Sequence, residues 1–194
     1  ENDALVTLGL KPHRPDTGYG YIQFDQKEVS KGVNKVITFT EKPPLEMAEK
    51  FLESGDFLWN SGMFVWRVDS ILKALREHLP ELNMSFGEVK GAYNTALESK
   101  HIGRIYTEIA SISIDNGILE KADNVFVLPS SFGWSDLGTW KSVHEQLEEK
   151  ESNTALNVNL HAINSEKNLV VSDTKKLVVI KDLDGYFIID TKDA

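Results

Sequence analysis

Five short stretches of this chain combine residue types that sugar and phosphate chemistry requires. In Thr17-Gly18-Tyr19-Gly20-Tyr21 two glycines precede an apolar run, so the backbone can approach a ligand closely and offer it amide donors. A tight turn with unusual backbone angles accounts for the same residues. Glu41-Lys42-Pro43-Pro44 sets an acid beside a base; a carboxylate accepts hydrogen bonds from sugar hydroxyls, and an ammonium neutralises a phosphate. A solvated loop is the plainer account of that pair. In Trp59-Asn60-Ser61-Gly62-Met63 the Asn60 amide can both donate to and accept from a vicinal diol, whereas an Asx turn with Trp59 and Trp66 in the core explains the motif without a ligand. Gly133-Trp134-Ser135-Asp136-Leu137-Gly138 holds a carboxylate on a glycine-flanked turn, which suits Mg²⁺, an ion satisfied by one or two carboxylates plus substrate phosphate oxygens. Helix capping competes for Asp136, although Thr139 is better placed for it. Asp115, in Ser113-Ile114-Asp115, is a second acid in apolar surroundings.

These residues must be positioned by strands and helices alternating along the chain. Residues 4–8, 21–24, 36–40, 63–66 and 125–128 read as strands, the first and last of them buried. Pro43-Pro44 opens a helix with Leu45, Ala48, Phe51 and Leu52 on one face, and Asp69 is expected to cap another carrying Ile71, Leu72, Leu75 and Leu79. Residues 81–119 are expected to be helical in several pieces, broken near Gly87, Gly91 and Gly103. Thr139 caps a helix bearing Trp140, Val143 and Leu147. After a charged stretch at residues 148–153 the pattern turns β-rich, at 169–171, 177–180 and 186–189. Turn signals at Asp173-Thr174-Lys175 and Asp184-Gly185 predict a small meander or hairpin with Asp182-Leu183-Asp184 at its tip. No internal repeat stands out. The expectation is an α/β domain over 1–152 followed by a β-rich region over 153–194.

Composition excludes several classes of function. A formal net charge of -9 repels polyanions, which argues against nucleic acid as a partner. The absence of cysteine removes disulfides, thiolate metal sites and thiol nucleophiles, and fits a cytoplasmic location. No apolar run reaches membrane-spanning length, and Glu1-Asn2-Asp3-Ala4 opens neither a signal nor a transit peptide. The five histidines lack metal-ligand spacing, and neither a nucleophile elbow nor a P-loop is present.

Taken in order, Gly9-Leu10-Lys11-Pro12, the run from Arg14-Pro15-Asp16 through Tyr21-Ile22, Phe39-Thr40-Glu41-Lys42-Pro43, Leu58-Trp59-Asn60-Ser61-Gly62-Met63-Phe64, Ser113-Ile114-Asp115 and Gly133-Trp134-Ser135-Asp136-Leu137-Gly138 resemble the mannose-1-phosphate guanylyltransferases of the sugar-1-phosphate nucleotidyltransferase superfamily. The resemblance implies a partial Rossmann-like α/β domain, a mixed sheet with flanking helices, plus a small β-rich extension. It implies transfer of GMP from GTP to mannose 1-phosphate, giving GDP-mannose and pyrophosphate with Mg²⁺ as cofactor. By the same resemblance Gly20 brings an amide to the sugar, Glu41 binds its hydroxyls, Asn60 helps read it, Lys42 holds its phosphate and Asp136 ligates the metal, with Asp115 close by. The family's glycine-rich Arg/Lys loop and second metal-binding Asp lie upstream of these motifs. Negligible turnover is therefore expected of this chain by itself, and exposed sheet edges are expected to favour homo-oligomers. The alternatives are a glucose-1-phosphate uridylyl- or thymidylyltransferase, and a noncatalytic sugar-phosphate binding module.

Overall fold

The computed structural model describes residues 3–147 and 152–192. Its contacts divide the chain into two units, Glu1–Phe132 and Gly133–Ala194. The charged residues 148–151 and the last two residues of the chain lie outside the described residues.

In the first unit, β1 (Leu5–Leu10), β2 (Tyr21–Ser30), β3 (Val33–Thr40), β4 (Phe57–Trp66) and β5 (Val125–Ser130) form one mixed sheet in the order β1-β4-β2-β3-β5. The β1–β5 pair is parallel and the rest are antiparallel. β3 also reaches β5 through Asn34 with Val127 and Lys35 with Phe126, which closes the order into a barrel. Each of the five strands therefore has a neighbour on both sides, so the exposed edges expected of this sheet are not found along these pairings. Helices α1 (Leu45–Ser54), α2 (Val68–His78), α3 (Pro80–Glu88) and α4 (Glu98–Glu108) accompany the sheet, with a single π-helical turn at Asp115–Leu119. The core gathers Leu5, Ile22, Phe39, Leu58, Ile118, Leu119, Val125 and Val127, and each such side chain taken from water contributes about 1.5–3 kcal/mol.

Two local expectations change. Arg67, not Asp69, occupies the N-cap of α2, without a side-chain cap bond. Asp69 sits in the first turn, where an acid complements the helix dipole, and pairs with Arg67 at 3.2 Å. Gly103 lies inside α4 and does not break it.

The second unit begins with α5 (Trp140–Glu145), capped as expected: Ser142 N–H donates to Thr139 Oγ1 at 3.1 Å, and Thr139 N–H donates to Ser142 Oγ at 3.1 Å. Leu147 lies beyond the helix end. The region after it is not a meander. Strands β6 (Thr154–Leu156), β8 (Leu169–Ser172) and β10 (Phe187–Asp190) pair in parallel, as do β7 (Asn159–Ile163) and β9 (Leu177–Lys181). A parallel bridge from Glu166 to Asp184 forms a third side, so the chain winds as a short parallel β-solenoid. Asp182-Leu183-Asp184 is therefore a corner between strands of different sheets, not a hairpin tip. Corner positions recur from coil to coil: Asn164 and Asp182 both have left-handed backbones, and so do Lys167 and Gly185. The repeat that composition conceals is held by Asn168, fully buried, which donates to Asn153 Oδ1 at 2.7 Å and to Leu183 O at 3.0 Å and accepts Tyr186 N–H at 2.8 Å.

Candidate functional site: a carboxylate and amide cluster beside Lys42

The site in the first unit is built on a bulge in β4. Thr7 of β1 faces Phe64, yet Gly9 faces Asn60, so β4 spends extra residues across the same span. Gly62 takes the slack with φ +71°, a backbone that side-chain-bearing residues rarely adopt. Ser61 Oγ donates to Leu8 O at 2.7 Å and accepts Met63 N–H at 3.2 Å, which pins the bulge. Asn60 is thereby turned inward: Thr7 Oγ1 donates to Asn60 Oδ1 at 2.9 Å, and Asn60 Nδ2 donates to Asp115 Oδ1 at 3.0 Å.

Gly20 lies on the other side of Asn60, whose N–H donates to Gly20 O at 2.8 Å. The loop before it is seated by aromatic packing, with Tyr19 edge-on to Trp59 at 5.0 Å, and by the Tyr21 hydroxyl, which accepts Asp16 N–H at 2.9 Å. A Cβ on Gly20 would stand 2.5 Å from Glu41 Oε2 and 3.4 Å from Asn60 Cβ. Glycine at this position is what lets the Glu41 carboxylate lie against the main chain.

Glu41 leaves the end of β3 with its side chain mostly covered, while Lys42, at φ 45°, projects into solvent with its Nζ 3.5 Å from Glu41 Oε1. Burial, and then the charge on Asp115, push the Glu41 carboxyl above its ordinary value; Lys42 opposes them. Burial likewise raises Asp115, against hydrogen bonds from its own backbone and from Asn60. The arrangement presents two half-buried carboxylates, one oriented amide and one ammonium within a single cluster. Such a set can hold a polyhydroxylated ligand through the acceptors and amide, and an anionic group through the ammonium.

In the second unit, Asp136 Oδ1 accepts Gly138 N–H at 3.1 Å, while Leu137 adopts φ 51°. The cap of α5 belongs to Thr139, so helix capping does not explain Asp136. A Cβ on Gly138 would stand 2.7 Å from Asp136 Oδ2, so the turn folds closely around the carboxylate.

The nucleotidyl transferase family profile matches residues 1–153. The chain belongs to the nucleotidyl transferase family. Among its relatives, mannose-1-phosphate guanylyltransferase of Sinorhizobium fredii is 39% identical over 98% of this chain and 37% of its own length. The alginate biosynthesis protein AlgA of Pseudomonas syringae pv. tomato is 32% identical over 100% of this chain and 40% of its own. A crystal structure from Thermus thermophilus, of a protein called mannose-1-phosphate geranyltransferase, superposes with a TM-score of 0.78 at 28% identity, covering 97% of this chain and 54% of that one. This nucleotidyl transferase chain thus spans less than half the length of those two curated relatives. The mixed α/β fold with its C-terminal β-strands is the fold of these neighbours.

Of the residues singled out by sequence, Gly20, Glu41, Lys42, Asn60 and Asp115 meet in this one cluster of the nucleotidyl transferase, and Asp136 belongs to the other unit. Trp59-Asn60-Ser61-Gly62 forms part of β4, and the Asx-turn bond expected of it is present inside the strand, Gly62 N–H donating to Asn60 Oδ1 at 3.3 Å. Sequence reasoning passed over Thr7. Its only signal was a hydroxyl in the otherwise apolar run Leu5-Val6-Thr7-Leu8, at a position that shares Leu5's inward face.

Proposed function

We propose that the chain carries the sugar-phosphate side of a mannose-1-phosphate guanylyltransferase, which joins GTP and mannose 1-phosphate to give GDP-mannose and pyrophosphate. The observation that carries this is the Glu41, Asn60 and Asp115 cluster with Lys42 at its rim, in a chain 39% identical to a protein of that name. Glu41 and the Asn60–Asp115 pair bind the mannose hydroxyls, the Gly20 backbone approaches the ring, and Lys42 holds the 1-phosphate. An oxygen of that phosphate attacks the α-phosphorus of GTP. A new P–O bond forms as the bond to the bridging oxygen breaks, and pyrophosphate leaves with the electron pair. The attacking oxygen is already ionised at neutral pH, so no general base is required. Two anions must be brought together, and placement and charge neutralisation by this chain's residues carry the rate.

Asp136 fits Mg²⁺ by donor type, since a single carboxylate folded into a tight turn leaves the remaining positions to phosphate oxygens and water. When bound, the ion neutralises phosphate charge. Residues 1–152 form part of the catalytic domain in this proposal, supported by the family match over 1–153, and residues 153–194 form the β-rich extension. A cytoplasmic location is part of this proposal, resting on the absence of cysteine from the sequence; among the described residues no helix is long and apolar enough to cross a membrane.

The test uses the protein from its whole reading frame, a panel of hexose 1-phosphates and nucleoside triphosphates, and two variants. Lys42→Ala is expected to raise KM for mannose 1-phosphate by roughly tenfold or more, the scale of a lost charge-assisted hydrogen bond. Asp136→Ala is expected to abolish the dependence of rate on Mg²⁺. Preference for glucose 1-phosphate with UTP or dTTP, or unchanged kinetics in both variants, would overturn the assignment.

A further inference from the structure

Asn60 meets the rest of the cluster through an amide whose two ends are chemically opposite, so its use depends on which end points where. Three partners decide this. Oδ1 accepts the Thr7 hydroxyl at 2.9 Å and Gly62 N–H at 3.3 Å, and Nδ2 donates to Asp115 at 3.0 Å. Turning the amide over would set an NH₂ against Gly62 N–H and a carbonyl oxygen against a carboxylate, two repulsive contacts. Thr7 makes the shorter bond to Oδ1, and it is rigidly placed: its side chain is fully buried, and β1 is paired on both sides, with β4 and with β5. Its hydroxyl has one hydrogen. Asn60 Oδ1 at 2.9 Å is a better acceptor than Met63 O at 3.4 Å, so that hydrogen goes to the amide.

We propose that Thr7 is a positioning residue for sugar recognition: its buried hydroxyl locks the Asn60 amide so that the cluster offers an Nδ2 donor paired with the Asp115 carboxylate. With Oδ1 engaged by the protein, the cluster reads a diol through one donor and neighbouring carboxylate acceptors, and not through the amide oxygen. Thr7 itself touches no substrate. This rests on the sugar-binding role of Asn60 given above.

The experiment compares Thr7→Val, which keeps the shape and removes the hydroxyl, with Thr7→Ser, which keeps the hydroxyl, in the protein from its whole reading frame. KM is measured separately for mannose 1-phosphate and for GTP, with Asn60→Ala and the Asn60→Ala/Thr7→Val pair alongside. Thr7→Val is expected to raise KM for mannose 1-phosphate about tenfold, the factor set by one oriented hydrogen bond, with KM for GTP unchanged. Thr7→Ser is expected to restore it, and the double variant to be no worse than Asn60→Ala alone. Should Thr7→Val fail to fold, Thr7→Ala removes the same hydroxyl without new bulk and is read against Thr7→Ser in the same way. Equal rises in both KM values, a change in thermal stability with no KM change, or a Thr7→Ser variant as impaired as Thr7→Val each overturn the proposal. If Asn60→Ala leaves KM for mannose 1-phosphate unchanged, the sugar-site assignment falls and this proposal falls with it. An Asn60→Ala effect without a Thr7→Val effect removes only the role of Thr7.

Discussion

At the residue scale the cluster stores electrostatic cost where it binds. Burial raises Glu41 and Asp115 each above its ordinary value, and Glu41 is raised further by Asp115; Lys42 acts against both shifts and Glu120 adds to them. A carboxyl whose folded value lies above its unfolded value contributes stability while both states are protonated. That contribution is lost as pH rises through the folded value. The wild-type protein therefore bears the cost of these charges at neutral pH. Asp115→Asn keeps an acceptor for Asn60 and removes one charge, so its melting temperature is expected to exceed that of the wild type at pH 7.5 by a few degrees, at roughly 2–4 °C per kcal/mol for a chain of this size. The gap should shrink on acidification, as the pH falls through the raised value of the wild-type carboxyl. A gap that is flat or widens on acidification contradicts the pairing. Asp3, with its bond to Lys73, and Asp190, with its bond to Lys176, are shifted down and behave in the opposite sense. Their stabilising contributions are present above the ordinary carboxylate range and are lost as pH falls through the lowered values.

At the scale of elements, the two units solve different problems. In β4 a bulge redirects one side chain, and the cost of the irregular backbone is met by Ser61, Gly62 and the bond from Thr7. In the solenoid, parallel strands stack coil upon coil, and buried polar side chains take over the backbone groups at the corners. Asn168 joins three segments: it bonds Asn153, 15 residues before it, and Leu183 O, and it accepts the N–H of Tyr186, 18 residues after it. Asn168→Ala leaves these groups buried without partners and is expected to destabilise the second unit by about 2–4 kcal/mol. Hydrogen exchange should report the loss in β8 and β10, with β1 and β5 unchanged. Protection falling equally in both sets of strands would mean that the ladder is not what holds the solenoid.

For the whole molecule, function follows from which charges the chain brings to phosphate. Lys42 and Asp136 are the groups assigned to that work, and the sequence has no glycine-rich Arg/Lys loop to cradle a triphosphate. The 194-residue chain is expected to bind mannose 1-phosphate in calorimetry, and a chain that takes up none contradicts the sugar-phosphate site proposed for it.

The amino-acid sequence determined those features that depend on neighbours a few residues apart. The apolar stripe of Leu45, Ala48 and Phe51 specifies α1, and Thr139 with Ser142 specifies the start of α5. For Gly20, Glu41, Lys42, Asn60 and Asp115 the residue types taken alone left turns and solvated loops open beside a ligand site, and their link to sugar phosphate came from the resemblance carried by the ordered motifs. Only the tertiary structure decided that Asn60 lies between Thr7 and Asp115, which are 53 and 55 residues from it along the chain, since the bulge responsible is a mismatch between two strands and is visible in neither alone. The solenoid was hidden for the same reason. Alternation of period two is shared by an antiparallel hairpin and a parallel coil, and the choice between them rests on which distant strand supplies the hydrogen bonds. The raised carboxyls depend on burial and, for Glu41, on the charge of Asp115, and both exist only once the chain has folded.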